Sequence, residues 1–116
     1  MTIRSKRIYD EVSDADGKRI LVDRLWPRGI KKENAQIDWW AKEITPSNEL
    51  RKWYHEDIEN RWEEFQQKYQ TELQSSTTQL TELHQIVEEN DVTLVTAAKN
   101  QGRNHVDVLM AVLAMM

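Results

Sequence analysis

The last third of the chain holds its most strand-like segment. It reads Val92-Thr93-Leu94-Val95-Thr96-Ala97-Ala98, which is rich in β-branched residues and mostly apolar. Such a run is typical of a strand that is buried on both faces in the interior of a sheet. A loop from Lys99 to Arg103 follows, and from Asn104 an apolar segment with helical spacing predicts a buried closing helix. Helices followed by a strand, a loop and a helix predict an α/β fold.

Two further strands are expected near the amino end. Residues Ile3 to Tyr9 alternate weakly between apolar and polar, and Lys18 to Leu25 contain the continuous apolar run Ile20-Leu21-Val22. The segment from Ser13 to Gly17 between them is rich in turn-forming residues, and its Asp16-Gly17 pair tolerates a positive φ. Two strands of a hairpin are antiparallel, whereas strands separated by another strand can be parallel. The sequence therefore leaves the relative direction of these two strands open.

The middle of the chain has helical periodicity. Thr45-Pro46-Ser47 supplies a cap and a proline suited to a first helical turn, Asn60 is expected to cap a second helix, and Ser75 to Thr78 separate it from a third. The inward-facing residues of the three helices are expected to be Leu50, Trp53, Tyr54 and Ile58, then Trp62, Phe65, Tyr69 and Leu73, then Leu80, Leu83 and Val87.

These elements predict one α/β domain over residues 1–116. We expect a small, mostly parallel central sheet of three to four strands, flanked by about four to five helices. The residues at about 38–89 are expected to form an acidic helical insert.

Charge is spread unevenly along the 116 residues. The chain has a net charge of −4, to which residues 1–32 contribute +4 and residues 33–90 contribute −8. Because nucleic-acid affinity comes mainly from Lys and Arg side chains on phosphates, this balance argues against general nucleic-acid binding. The chain contains no cysteine, which excludes disulfides and thiolate metal sites and fits a reducing cytosol. With no apolar run near the ~18 residues of a membrane span and no secretory signal, we expect a cytoplasmic protein.

The polar segment after the second strand is the first candidate site. It reads Val22-Asp23-Arg24-Leu25-Trp26-Pro27-Arg28-Gly29, and its proline and glycine suit a turn that holds Arg28 outward. In open α/β sheets, ligands bind where loops leave the carboxyl ends of strands. We therefore take Asp23, Arg24, Trp26 and Arg28 as candidate site residues. In the alternative interpretation, Asp23 and Arg24 pair at the strand end, Trp26 is core and Arg28 is solvated.

A second strand end has similar chemistry. Lys99, Asn104 and His105 lead into the closing helix, whose first N–H groups can bind an anion. Asn104-His105-Val106-Asp107 also resembles a capping box, in which Asn104 caps the helix and does not bind a ligand. His105 is a candidate for ligand contact or proton transfer, with a structural hydrogen bond as the alternative.

Other motifs are weaker. The chain has no GxGxxG, Walker or HExxH motif, and His55 with Glu59 supply only two metal ligands on one helical face, so no metal or cofactor is expected. The adjacent residues Trp39 and Trp40 cannot both face inward from one helical stripe. One of the two rings is therefore either packed against a neighbouring element or available to a ligand. A nucleic-acid accessory function would use the basic residues Arg4, Lys6, Arg7, Lys31 and Lys32.

Several short stretches together form a family pattern. They are Arg7-Ile8-Tyr9-Asp10, Arg19-Ile20-Leu21-Val22-Asp23-Arg24-Leu25-Trp26-Pro27-Arg28-Gly29, Pro46-Ser47, Leu50-Arg51-Lys52-Trp53-Tyr54, Thr93-Leu94-Val95, Ala97-Ala98-Lys99 and Asn104-His105. In these residues the chain resembles the YeaO-like branch of the family known as domain of unknown function 488, from about Ile3 to Leu113. The resemblance implies a small bacterial α/β domain with no established activity.

The resemblance also bears on the start of the closing helix. In broader relatives this helix begins with a Cys-His-Arg element, whereas the corresponding residues here are Arg103-Asn104-His105. Only the histidine therefore carries over, and the missing cysteine argues against thiol chemistry in this chain.

These features together predict a bacterial cytoplasmic domain that binds a small anionic ligand, either a nucleotide or a phosphorylated metabolite. The ligand would lie between the loop of residues 23–29 and the helix start at residues 99–105. Arg28 and Lys99 would neutralise the anion, amide groups near His105 would donate hydrogen bonds, and Asp23 or His105 would be the acid–base group. Whether a reaction occurs is left open, as is the oligomeric state. The alternative is a protein-interaction module that uses the acidic helical middle and Trp39-Trp40.

Overall fold

The structure, a computed structural model, describes residues 2–99 and 102–116. Within these ranges, the strands are Ile3–Arg7 (β1), Lys18–Leu21 (β2), Trp39–Trp40 (β3) and Val92–Thr96 (β4). The helices are Lys32–Ala35 (α1), Asn48–His55 (α2), Ile58–Leu73 (α3), Thr77–Glu89 (α4) and His105–Ala114 (α5). Three short 3-10 turns lie at Asp14–Asp16, Lys42–Ile44 and Gln74–Ser76. None of these helices is long and apolar enough to cross a membrane.

The four strands form one parallel sheet in the order β1-β4-β2-β3. Strand β4 lies between the two amino-terminal strands, so that Leu94 pairs with Ser5 on one side and with Ile20 on the other. The first two strands are therefore parallel and not partners in a hairpin, which resolves the choice that the sequence left open. The predicted α/β fold is confirmed.

Both faces of the sheet are buried, and alternate residues face different cores. Ile20 and Leu94 belong to a larger core that is completed by side chains of α2, α3, α4 and α5. Leu21 and Val95 belong to a smaller core on the other face, where α1 contributes Ala35. This alternation is the two-residue period of a β-strand.

The tryptophan pair lies in a strand and not in a helix. In β3 the alternation places Trp39 against the larger core and Trp40 against the smaller one. The Trp40 Nε1 donates to the Asp23 carbonyl over 2.7 Å, and its ring meets that of Trp26 edge-on with centroids 5.3 Å apart. The acidic segment at about 38–89 thus supplies an edge strand as well as helices, and both tryptophans pack within the fold.

Two helix starts differ from the predicted ones. Ser47 caps α2, because its Oγ accepts from the Leu50 N–H over 3.1 Å, so Pro46 precedes the cap and does not lie in the first turn. Asp57 occupies the cap position of α3, and Asn60 lies inside the helix, where its Nδ2 donates to the Asp57 carboxylate. The prediction that Asn60 caps this helix is wrong because the chain is already helical from residue 58, whose side chain packs on the larger core.

A buried ion pair lies where the chain enters β2. Arg19 Nη1 and Asp16 Oδ2 are 2.6 Å apart, and each side chain is only 3% exposed. Lys6 Nζ lies 3.0 Å from the same carboxylate, and the Ser13 N–H donates to it over 3.0 Å. Arg19 Nε donates to the Ala35 carbonyl over 3.1 Å. Sequence reasoning identified this segment only as a turn and missed the ion pair.

Gly17 makes the turn before β2 possible. Its φ is +64°, which confirms the positive φ expected at this pair of residues. A Cβ atom at this position would lie 2.2 Å from the Asp91 carbonyl oxygen, which accepts the Lys18 N–H over 2.9 Å. Only glycine therefore allows this close approach of the two backbones.

Candidate functional site

A cavity of about 350 Å³ opens at the carboxyl ends of the parallel strands. Its described lining comes from the segment after β2, residues 97–98 after β4, helix α2, the start of α5, and Tyr9, Pro46 and Phe65. This position is where open α/β sheets bind ligands. The volume lies near the lower end of the range of about 300–1,000 Å³ that is typical of small-molecule sites.

Asp23 joins the two central strands to α5 at this cavity. Its Oδ1 accepts from Thr96 Oγ1 over 2.6 Å, and its Oδ2 accepts from the Ala97 N–H over 2.7 Å. His105 Nε2 lies 3.1 Å from Asp23 Oδ1 and 2.7 Å from the Val22 carbonyl oxygen. Burial opposes ionisation of Asp23, but the hydrogen bond and charge of His105 and the other two donors outweigh it and lower its pKa. Asp23 is therefore ionised near neutral pH.

The same contacts explain why the two central strands are shorter than predicted. Strand β2 ends at Leu21 and β4 ends at Thr96, although the apolar sequence continues beyond both residues. The Ala97 N–H donates to the side chain of Asp23 and not to a neighbouring strand, so the ladder of hydrogen bonds stops there. The shortened strands leave the segments that follow them available to form the cavity.

The neighbours of His105 Nε2 determine which ring nitrogen carries a proton. The Val22 carbonyl and the ionised Asp23 carboxylate can only accept hydrogen bonds, so Nε2 is the donor to both. In the neutral form of the ring, Nδ1 is then the nitrogen that can accept a hydrogen bond from a ligand. The structure thus combines the structural hydrogen bond with a position on the cavity lining.

Replacing Asp23 with asparagine is expected to lower the free energy of unfolding at pH 7 by about 1–3 kcal/mol, since the hydrogen bonds are no longer to a charge. A carboxylate whose pKa is lowered by folding adds stability above its unfolded pKa of about 3.9, and this stability is lost as the pH falls through the folded value. Urea unfolding should therefore show that the difference between wild type and Asp23→Asn shrinks from about pH 5 to about pH 2.

The matched control for this pH series is Asp14→Asn, because Asp14 is an exposed aspartate at a turn. We expect it to change the free energy of unfolding at pH 7 by no more than about 0.5 kcal/mol. If the difference in unfolding free energy between wild type and Asp23→Asn stays constant across the acid range, the assigned role of the Asp23 charge is wrong.

Among the described residues, three arginines line the cavity. Arg24 is partly buried, and it donates from Nε to the Pro46 carbonyl over 3.0 Å and from Nη2 to the Thr45 carbonyl over 3.1 Å. These bonds hold the segment after β2 against the start of α2. Arg28 is exposed, as predicted, and no acidic side chain in residues 2–99 and 102–116 forms an ion pair with it.

The third arginine, Arg51, and the neighbouring His55 were missed by sequence reasoning. They lie one turn apart on α2, and both line the cavity. The Nε of Arg51 is buried and has no hydrogen-bond partner in the part of the chain that the structure describes. Partial burial, followed by the positive charges of Arg51 and His105, lowers the pKa of His55. No group of three or more His, Asp or Glu side chains among the described residues is placed to hold a metal ion.

The capping box that the sequence indicated at the start of α5 is present. Asn104 Oδ1 accepts from the Val106 N–H over 2.9 Å and from the Asp107 N–H over 3.2 Å, while the Asp107 carboxylate accepts from the Asn104 N–H over 3.0 Å. Asn104 lines the cavity, but its side-chain oxygen is used by the helix. The amide groups of Val106 and Asp107 are therefore already satisfied.

The rest of the lining is largely apolar. Tyr54 and Phe65 are buried and stack with ring centroids 4.1 Å apart, and the Tyr54 hydroxyl donates to the Arg103 carbonyl over 2.6 Å. Leu25 and Tyr9 are 60% and 49% exposed where the cavity meets solvent. The cavity thus combines cationic side chains with an apolar and aromatic surface.

Comparison with known proteins identifies the family. A family model described as the inactive DUF488-N3 subclade matches residues 2–116. The chain therefore belongs to the DUF488 family. It is 46% identical to the uncharacterised Escherichia coli protein YeaO over 109 residues, which cover 94% of each chain. It is also 42% identical to an uncharacterised Mycobacterium tuberculosis protein over 111 residues, which cover 96% of this chain and 92% of the relative.

The resemblance that the sequence motifs indicated is thus confirmed. No solved structure matches the chain significantly. Because the DUF488 relatives are described only as uncharacterised, the site has to be interpreted from its own geometry.

In this DUF488 chain the fold brings most of the predicted site residues to one cavity. The lining includes Asp23, Arg24, Trp26, Arg28, Asn104 and His105. Trp26 also packs on the smaller core, and its Nε1 donates to the Ile30 carbonyl over 2.7 Å. Lys99 is exposed and does not line the cavity, and residues 100 and 101 of the predicted loop lie outside the described residues.

Proposed function

We propose that this DUF488 chain is a cytoplasmic protein that binds a small anionic ligand, either a nucleotide or a phosphorylated metabolite, in the cavity at the strand carboxyl ends. The observation that supports this proposal most is the convergence of Arg24, Arg28 and Arg51 on one cavity. Asp23 is the single carboxylate in the described lining, and its oxygens already accept hydrogen bonds from Thr96, Ala97 and His105. A second anion would therefore meet positive charge that is only partly neutralised.

The hydrogen bonding and the surroundings of the individual cationic side chains support the same proposal. A guanidinium group matches the geometry of a phosphate or carboxylate and can bind it through two hydrogen bonds. The buried Nε of Arg51 lacks a partner in the described part of the chain, and an anionic oxygen would supply one. Burial lowers the pKa of His55, and the positive charges of Arg51 and His105 lower it further.

Of the two acid–base candidates, His105 keeps one ring nitrogen, Nδ1, that is not bound to Asp23 or Val22. The lowered pKa of Asp23 keeps this residue ionised, so its role in the proposed site is to position the imidazole ring. The description of the matching subclade as inactive favours binding without turnover. The proposed function is therefore ligand binding, with no chemical step assigned.

The protein-interaction alternative has less support. Its main feature was the Trp39-Trp40 pair, and each of these rings is packed against one of the two cores. Trp40 is further engaged by the Asp23 carbonyl and by Lys42, whose Nζ lies 3.9 Å from the ring centroid.

Arg28→Ala is expected to weaken binding of a phosphorylated ligand by about tenfold or more, because a charge-assisted contact is lost. Inorganic phosphate, adenosine monophosphate and glucose 6-phosphate are the probes, with thermal shift and isothermal titration calorimetry as the measurements. Since Arg28 is exposed, the variant should keep its free energy of unfolding within about 0.5 kcal/mol of wild type.

Arg4→Ala is the matched control, since Arg4 is an exposed arginine near the start of β1, at the opposite end of that strand from the cavity. It removes the same charge and should bind the probes like wild type. If none of the probes raises the melting temperature of wild type, the proposed function is wrong. A large loss of stability in Arg28→Ala would instead identify this arginine as a structural contact.

A further inference from the structure

We infer that the ligand of this cavity is a compact aromatic anion, in which one acidic group is attached to a flat apolar ring. This inference rests on the anion binding of the proposed function, and it narrows the ligand away from nucleotides and sugar phosphates. It follows from the size of the cavity, from the apolar part of its lining, and from the hydrogen bonds that its neutral polar groups already make.

The size of the cavity limits the ligand. Its volume of about 350 Å³ is close to the smallest that small-molecule sites have, at about 300 Å³. A ligand with one ring system and one acidic group suits this space.

The apolar lining indicates the chemistry of the part of the ligand that carries the acidic group. Leu25 and Tyr9 remain 60% and 49% exposed at the edge of the cavity, next to the buried rings of Tyr54 and Phe65. Large apolar side chains left exposed beside a concave site are typical of ligand-binding surfaces. A flat apolar group would cover them and would gain stability from the surface that it buries.

The neutral polar groups of the lining argue against a polar ligand body. The Tyr54 hydroxyl donates to Arg103, the Trp26 Nε1 donates to Ile30, and the Tyr9 hydroxyl donates to the Arg28 carbonyl over 3.3 Å. The Asn104 side-chain oxygen accepts two amide groups of α5. The two hydroxyl donors and the indole donor are committed within the protein, so a sugar or a base edge would find few neutral donors in this lining.

The test compares affinities by isothermal titration calorimetry for phenyl phosphate, benzoate, ribose 5-phosphate and inorganic phosphate. We expect phenyl phosphate to bind at least about tenfold more tightly than ribose 5-phosphate or inorganic phosphate, a factor that corresponds to about 1.4 kcal/mol. Benzoate separates a carboxylate from a phosphate as the acidic group, and tighter binding of either aromatic anion than of ribose 5-phosphate supports the inference.

Leu25→Ser is the matching variant. Its side chain is exposed, so the fold should tolerate the change, which the melting temperature of the variant will check. It should weaken the binding of phenyl phosphate about threefold or more, because an apolar contact is lost, and it should leave the affinity for inorganic phosphate unchanged. Met115→Ser, at a methionine that is 87% exposed and lies just after α5, is the control and should bind all probes like wild type.

The outcomes separate this inference from the proposed function. If ribose 5-phosphate binds as tightly as the aromatic anions, or if Leu25→Ser weakens all probes equally, the aromatic class is wrong while anion binding stands. If none of the four compounds binds, the inference is wrong, and the proposed function is wrong as well if adenosine monophosphate and glucose 6-phosphate also fail to bind.

Discussion

Asp16→Ala is expected to lower the free energy of unfolding by about 3–5 kcal/mol, because it leaves the buried Arg19 charge without its main partner. Both side chains are 3% exposed, and Arg19 Nη1 lies 2.6 Å from the carboxylate. Burial would raise the pKa of Asp16, but the hydrogen bonds from Ser13, Lys6 and Arg19 outweigh it and lower the pKa. Urea unfolding at pH 7 measures the loss.

A double variant tests whether the unpaired charge of Arg19 causes the stability loss of Asp16→Ala. Asp16→Ala combined with Arg19→Met removes both charges, so it should recover a large part of the stability that Asp16→Ala alone loses. Asp14→Ala, in the same 3-10 turn but exposed, should lie within about 0.5 kcal/mol of wild type. If the double variant is as unstable as Asp16→Ala, the loss comes from the turn and not from the ion pair.

Leu94→Ala is expected to cost about 2–5 kcal/mol of unfolding free energy through the lost apolar contacts and the cavity that remains. Leu94 is completely buried at the centre of β4, between β1 and β2, and it belongs to the larger core. Strand β4 is hydrogen-bonded to β1 on one side and to β2 on the other, so its backbone has little freedom to close the space. Chemical denaturation measures the change in unfolding free energy, which follows from the shift of the midpoint denaturant concentration when the dependence on denaturant concentration is unchanged.

Leu25→Ala is the matched control for Leu94→Ala. It makes the same chemical change at a leucine that is 60% exposed, so the expected loss is no more than about 0.5 kcal/mol. Equal effects of the two substitutions would contradict the central position of β4.

Fold stability and the candidate site share residues at the strand ends. Asp23 holds β4 through Thr96 and Ala97, and it holds α5 through His105. These contacts also fix the imidazole ring, so the position of the ring depends on the ends of the two central strands. Variants of Asp23 will therefore change stability and binding together, whereas variants of the exposed Arg28 separate the two.

Local features of the sequence predicted several parts of the structure correctly. The apolar run around Leu94 forms the central strand, the Asp16-Gly17 turn has the positive φ, and Asn104 caps the closing helix. Each of these depends on a few neighbouring residues and on the backbone preferences that those residues have. The helical stripe of α3 is equally local, and its Phe65 and Tyr69 are buried as expected.

Other features depend on contacts between distant residues. The Trp39-Trp40 pair becomes a strand because it adds to the exposed edge of β2, which periodicity within one segment does not show. Arg51 and His55 share one face of α2 by their spacing, but the cavity that this face borders exists only after α2 has packed on α3 and the chain has folded around the strand ends. Lys99, in contrast, is close in sequence to His105 and yet lies outside the cavity lining.

The amino-acid sequence alone was thus enough to predict the buried strand, the turn and cap residues, the family, and the two polar segments that meet at the cavity, since these follow from short-range patterns. The order of the strands, the buried pair of Asp16 with Arg19, and the addition of Arg51 and His55 to the cavity were fixed only by the tertiary structure. The physical reason is that covering both faces of one parallel sheet brings together side chains that are far apart along the chain, and no local preference encodes which of them will meet.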